Sequence, residues 1–197
     1  MSRFIVKDRF FNKAKQDGYR ARSAYKILDI QKKFRLIRAG DCVLDLGSAP
    51  GSFLQVISKL VGDCGSVIGV DILPVVALPA KNITLLKIDI RDVNVEVLFR
   101  EYSLDRFDAV TCDIAPNLSG IKEVDDKNVN ELFEAVLNVV RVGLKTGGNF
   151  LIKSFFSDSL KLSHNTLKEL FRKVSIFKPA SSRSVSSEIF FVCIGKK

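Results

Sequence analysis

The chain has 197 residues, of which 47% are hydrophobic, and a formal charge of +9. That length suits one domain with a sizeable core and is short for two. No apolar run approaches the ~20 residues needed to span a bilayer, and Arg3 and Lys7 flank only a very short apolar patch, so neither a membrane partner nor a secretory leader is expected and the protein is read as cytoplasmic.

The charge is unevenly spread. Residues 1–22 carry seven Lys/Arg against two Asp, residues 23–159 are close to neutral at −2, and residues 160–197 carry eight Lys/Arg against two Glu. Two basic ends around a neutral body suit a polyanion, because lysine and arginine there neutralise phosphates and release counterions. Residues 1–22 are therefore read as a basic RNA-binding arm, and residues 23–197 as a single domain expected to act as a monomer.

Helical spacing of Ile27, Ile30 and Phe34 predicts a helix over 23–36, with Lys26 on it. From there strands and helices alternate. "CVLDLG" (42–47) reads as a strand, 53–61 as a helix, "SVIGVDI" (66–72) as a strand, "ITLLKIDI" (83–90) as a third, 93–102 as a helix and "FDAVTCDI" (107–114) as a fourth strand. A long helix with Val129, Leu132, Phe133, Val136, Leu137 and Val140 on one face is expected to stop near Gly147 and Gly148, before a fifth strand in "NFLIKSFF" and a helix over 160–172. "KVSIFK" and "EIFFVCIG" follow with no helix between them, which predicts a hairpin. The fold class is thus α/β: a mostly parallel, doubly wound sheet with one antiparallel strand, and a ligand cleft at the carboxyl edge of its parallel strands. Cys42, Cys64, Cys112 and Cys193 lack metal or redox spacing and read as reduced thiols, with no metal site expected.

The loop "DLGSAPGSF" (45–53) lies where such a fold holds a cofactor. Gly47, Pro50 and Gly51 do not make the dinucleotide fingerprint, which disfavours a pyrophosphate and hence a nicotinamide enzyme. Asp71, about 20 residues beyond Gly51, suits ribose hydroxyls, and Asp89 at the end of the third strand suits an adenine. A ligand with a carboxylate, a ribose and an adenine but no phosphate fits, and S-adenosylmethionine is one; the ring of Phe53 is a candidate neighbour for its sulfonium.

On the same edge the topology brings Asp113 after the fourth strand, Lys153 near the end of the fifth, Glu188 at the start of the last, and Lys26 from the side. A structural ion pair and a solvated helix lysine are the plain alternatives. A lysine acts as a general base when its neutral amine is accessible, which burial and a nearby cation favour. An amine acceptor needs only alignment, whereas a hydroxyl must lose its proton as it attacks, so a lysine base points to oxygen. "CDIAPNLSG" also departs from the acid-and-proline pattern of amino-methylating enzymes, since Ile114 and Ala115 intervene. His164, on a polar helix face, is given no role.

The segments "YRARSAYKILDI", "VLDLGSAPGSF", "GVDILP", "CDIAPNLSG", "FLIKSF" and "KPASSRSVSSEIFFV" resemble, in order and spacing, the FtsJ-like ribosomal RNA 2′-O-methyltransferases. The resemblance covers nearly all the chain. It implies a Rossmann-like methyltransferase fold with a seven-stranded sheet, a catalytic tetrad at Lys26, Asp113, Lys153 and Glu188 with Lys153 as base, and S-adenosylmethionine contacts from Gly51, Phe53, Asp71, Asp89 and Asp113. Ser52 and Phe53 stand where that family usually has glycine and tryptophan. The implied substrate is a uridine ribose of large-subunit ribosomal RNA, free or within an assembled particle, gripped by the basic arm and the loop around Arg183, with Phe10, Phe11 or Tyr19 available for stacking. The same chemistry on transfer RNA or a messenger cap, and a ribosome-assembly factor that keeps the fold without the activity, are the rival readings.

Overall fold

A computed structural model describes residues 9–114, 119–155, 160–182 and 186–197. The elements in chain order are α1 (Arg9–Gln16), α2 (Ala24–Phe34), β1 (Cys42–Leu46), α3 (Ser52–Val61), β2 (Ser66–Asp71), β3 (Ile83–Lys87), α4 (Val95–Glu101), β4 (Phe107–Cys112), α5 (Lys122–Gly143), β5 (Leu144–Phe155), α6 (Leu160–Leu170), β6 (Phe171–Phe177) and β7 (Glu188–Lys196). The strands form one seven-stranded sheet in the order β3-β2-β1-β4-β5-β7-β6. β1 to β5 pair in parallel, and β7 runs antiparallel to both neighbours.

Alternation along the strands builds two cores. Leu44, Leu46, Ile68, Val70, Val110, Phe150, Ile152 and Phe191 face α4, α5 and α6. Val43, Val67, Ala109, Leu151, Phe190 and Val192 face α2 and α3. A strand buried on both faces reads as a continuous apolar run, which is why β1, β4 and β7 were visible as such. The same period of two puts Asp45, Thr111, Lys153 and Glu188 on the α2/α3 face wherever those runs reach the carboxyl edge.

Two boundaries differ from expectation. α5 ends at Gly143 and not at the Gly147–Gly148 pair, because Leu144 is fully buried and pairs with Phe107. The register then shifts between Phe107 and Ala109, so the glycine pair falls in an irregular stretch of β5. The segment before residue 23 also carries a helix: α1 lays Phe10 against Tyr25, with ring centroids 5.6 Å apart, and Lys13 over the same ring at 4.9 Å. Residues 1–8 and 183–185, including Arg3, Lys7 and Arg183, lie outside the described residues. Among the described residues no helix is long and apolar enough to cross a membrane. His164 is half-buried and stacks on Phe191 at 5.7 Å, a packing role the polar helix face did not suggest.

Candidate active site

All four residues of the expected cluster meet at the carboxyl edge of the sheet. β4 and β5 are parallel neighbours, so the residue just after β4 and the one near the end of β5 lie side by side: Lys153 Nζ is 3.0 Å from Asp113 Oδ1 and donates to the Asp113 carbonyl oxygen at 2.7 Å. Asp113 Oδ1 is a charge partner of the ammonium and accepts no hydrogen bond. It remains buried with acceptor capacity unused, a group that costs free energy unless a ligand or water completes it. The antiparallel course of β7 brings its first residue to this same edge. There Glu188 meets Lys26 of α2, with Nζ 2.7 Å from Oε1 and 2.8 Å from Oε2.

These side chains are 8–15% exposed. Ser182, which the sequence reading did not single out, donates to Glu188 Oε1 at 3.0 Å. Burial raises the Glu188 pKa, but the hydrogen bond and charge of Lys26, aided by Ser182 and the charge of Lys153, outweigh it and hold the carboxyl below its ordinary value. Arg22, Ser23, Lys26, Asp113, Ser186 and Glu188 line a pocket of ≈ 350 Å³, large enough for part of a nucleotide and open to one.

The cofactor loop lies beside this pocket. Gly47 N and Ser48 N both donate to Val70 O, and Ala49 N donates to Asp71 Oδ2 at 2.8 Å. Leu73 N takes the other Asp71 oxygen at 2.8 Å. Asp71 therefore shapes the loop while each oxygen keeps a lone pair for a further donor. Gly47, at φ +77°, makes room for Ile114: a Cβ there would sit 2.3 Å from the Ile114 side-chain Cγ1 and 3.2 Å from its backbone nitrogen. Pro50 follows a cis peptide bond, and Gly51, at φ +103°, precedes the first turn of α3. Ser52, the departure from glycine noted above, hydrogen-bonds Ser23 at 2.6 Å.

Two expected ligand contacts are placed differently. Phe53 is 3% exposed within the α2/α3 core, which leaves little of its ring for a ligand. Asp89 lies two residues beyond the end of β3 and caps the turn Ile90–Asp92. Hydrogen bonds from the Arg91 side chain and backbone lower its pKa to about 2.

Three buried oxygens on this edge, Asp45 Oδ2, Ser48 Oγ and Asp113 Oδ1, lack a hydrogen-bond partner among the described residues. Asp113 Oδ1 and Ser48 Oγ are acceptors that a cosubstrate with a protonated amine would complete, so the residues present fit S-adenosylmethionine. Asp45 was missed, although an acid inside an apolar strand is the same signal that flags Lys153. It is fully buried and accepts from Thr111 Oγ1 at 2.6 Å, and burial, with the charges of Asp113 and Asp71 adding to it against the Thr111 bond, raises its pKa from 3.8 to about 8.

An acid that is neutral when folded and ionised when unfolded costs more stability as pH rises. The Asp45 contribution should therefore weaken stability progressively between pH 3.8 and about 8. Asp45→Asn mimics the neutral acid and keeps the Thr111 acceptor. Thermal melts should find it more stable than the native protein near pH 8, with the gap closing toward about pH 4; a constant gap would show that Asp45 is ionised throughout.

A sheet in the order β3-β2-β1-β4-β5-β7-β6, a glycine loop without the dinucleotide fingerprint and a ribose-type acid at the end of β2 define the class: a Rossmann-like methyltransferase domain. Fibrillarin from Aeropyrum pernix, solved with S-adenosylmethionine bound, shares this fold, with a TM-score of 0.60 and 18% identity over 87% of this chain and 76% of that one. A Plasmodium falciparum protein named as a ribosomal RNA methyltransferase superposes with a TM-score of 0.78 at 26% identity, covering 90% of this chain and 98% of that one. The ribosomal RNA large subunit methyltransferase E of Bdellovibrio bacteriovorus is 42% identical over 192 residues, 97% of either chain. Its namesake from Methanothermobacter thermautotrophicus is 39% identical over 187 residues, 94% of this chain and 88% of that one. Residues 19–196 match the FtsJ-like methyltransferase family, and the chain belongs to it.

Proposed function

We propose that this protein transfers the methyl group of S-adenosylmethionine to a ribose 2′-oxygen, a uridine's, in large-subunit ribosomal RNA, with Lys153 as the general base. The observation that carries the reading is the pair of acid–lysine contacts, Lys153–Asp113 and Lys26–Glu188, at one edge of the sheet beside the cofactor loop. Relatives named for large-subunit ribosomal RNA methylation, matched over nearly their whole length, support the substrate class.

The donor supplies an electrophilic methyl on a cationic sulfur. Everything else falls to the chain. Asp71 would hold the ribose and the first-turn amides of α3 the carboxylate of the amino-acid end, while Asp113 Oδ1 and Ser48 Oγ would accept from the donor amine. Asp89 Oδ2, which accepts only from Arg91 Nη2, would keep a lone pair for the adenine amine. Asp113 orients the Lys153 amine, which would take the 2′-hydroxyl proton as oxygen attacks in line. Lys26, fixed by Glu188, would bring positive charge to the ribose or its phosphate. Residues 1–22 and the loop around Arg183 would contact the RNA backbone. In this reading the protein works as a monomer in the cytoplasm, on free RNA or an assembled particle.

Incubation with labelled donor and separate pools of large-subunit particles, free ribosomal RNA, transfer RNA and capped message should label the ribosomal pools alone, and nuclease mapping should place the methyl on a ribose. Labelling confined to transfer RNA or to a cap would replace the substrate assignment. Binding of RNA without any donor binding would favour a non-catalytic assembly factor. RNA affinity should fall steeply with added salt, as expected when phosphate contacts dominate.

A further inference from the structure

The residues just ahead of α2 make more contacts with the cofactor loop than an RNA-binding arm requires. Arg20 Nη1 donates to Pro50 O at 2.9 Å and to Val76 O at 2.6 Å, and its Nη2 donates to Ala77 O at 2.8 Å. One guanidinium thus joins the loop after β1 to the segment after β2. The backbone locks it in place: Arg20 N donates to Gln55 Oε1 at 2.8 Å, and Gln55 Nε2 donates back to Gly18 O at 2.9 Å.

Gly51 is part of the fit. A Cβ there would lie 2.8 Å from Arg20 Nη1, so the glycine admits the arginine and not only a ligand. The segment between Asp71 and Ile83 has no helix or strand of its own, and it leaves Ile72, Leu73 and Val76 55–77% exposed. Such a segment takes its shape from its ties to other elements: Val75 and Leu78 pack on the α2/α3 core, and the Val76 and Ala77 carbonyls accept from Arg20. It continues directly from Asp71, so its position sets where a nucleoside can lie.

We propose that Arg20 is a positioning residue for the methyl donor: its fork clamps the Pro50 loop to the Val76–Ala77 segment and so forms the two walls between which the adenosine is held. The inference rests on the reading that these loops bind the donor. The same short strap is tied to the cofactor loop again through Ser23 to Ser52, and it reaches the acceptor side through Arg22 Nη2 to Ser181 O at 2.5 Å, next to the Ser182 that holds Glu188. A planar fork with several fixed donors reaches three carbonyls spread over two segments that lie apart, where a compact ammonium at the end of a shorter stem would reach fewer of them.

The full-length protein with Arg20→Gln, Arg20→Lys or Gln55→Leu is titrated with S-adenosylmethionine and S-adenosylhomocysteine, alongside RNA binding and turnover. Hydrogen bonds from a charged group to fixed carbonyls make a loss of about 10- to 100-fold in donor affinity the expectation for Arg20→Gln. Arg20→Lys should recover only part of it, and Gln55→Leu should show a smaller loss in the same direction. The donor KM should rise, and the loss of donor affinity should exceed any loss of RNA affinity. Unchanged donor affinity with weakened RNA binding would overturn the clamp and make Arg20 a phosphate contact. Should Arg20→Gln fail to fold, unchanged donor affinity in Gln55→Leu overturns it equally. A native protein that binds neither compound would sink the methyl-transfer reading itself, a separate result.

Discussion

Lys153→Ala should reduce methyl transfer by about 10²- to 10⁴-fold at saturating donor and RNA, the range for loss of a positioned general base, and leave donor affinity little changed. Two effects are mixed in that variant. It removes the amine that would take the hydroxyl proton, and it strips Asp113 of the cation 3.0 Å away. Lys153→Arg separates them, because a guanidinium keeps the charge and the hydrogen bond to the Asp113 carbonyl but does not release a proton. Arginine should restore much of the melting temperature lost in alanine and none of the rate. Single-turnover transfer from labelled donor reads the rate, and an active Lys153→Arg protein would remove the base assignment while leaving the pocket intact.

Glu188→Ala should cost about 3–5 kcal/mol of stability, since it leaves the Lys26 ammonium largely buried without its anion. Lys26 is 11% exposed on its side chain and its Nζ lies 5.7 Å from the centre of the Phe190 ring, so water reaches it poorly. For a domain of this size the melting temperature should fall by roughly 6–20 °C. The loss is pH-dependent with a definite sign. Glu188 has a folded-state pKa below its ordinary 4.5, so the stability it provides is complete above pH 4.5 and disappears as pH drops through the lower, folded value. Native and variant melting temperatures should converge in strong acid. The double variant Lys26→Met with Glu188→Leu, which removes both charges, should recover stability without recovering turnover. Equal melting temperatures for the native protein and Glu188→Ala at neutral pH would show that the pair is solvated and that its geometry is not held.

The parts of the site that could be read early are those that depend on period and strand order alone. Lys153 stands out because a lysine in "FLIKSF" interrupts an apolar run, and the β-α alternation assigns Asp113, Lys153 and Asp71 to one edge. Glu188 joins them only because β7 is antiparallel, a direction legible from the absence of a helix before it. Phe53 was harder: an aromatic at the start of a helix after a glycine loop looks the same whether it faces a ligand or the core, and here the ring turns into the core.

Arg20 was not legible at all as a part of the cofactor loop. It reads as one cation among seven in a basic segment, and its partners are main-chain carbonyls 30, 56 and 57 residues away, which carry no side-chain signature. Hydrophobic alternation is a local property and is written into neighbouring residues, so strands, helices, their order and the edge that gathers the chemistry could be inferred from the chain as text. Contacts from a charged side chain to distant backbone come into being when the segments are brought together, and so the clamp on the cofactor loop, the unpartnered oxygens of Asp45 and Asp113 and the burial of Phe53 emerge with the packed fold alone.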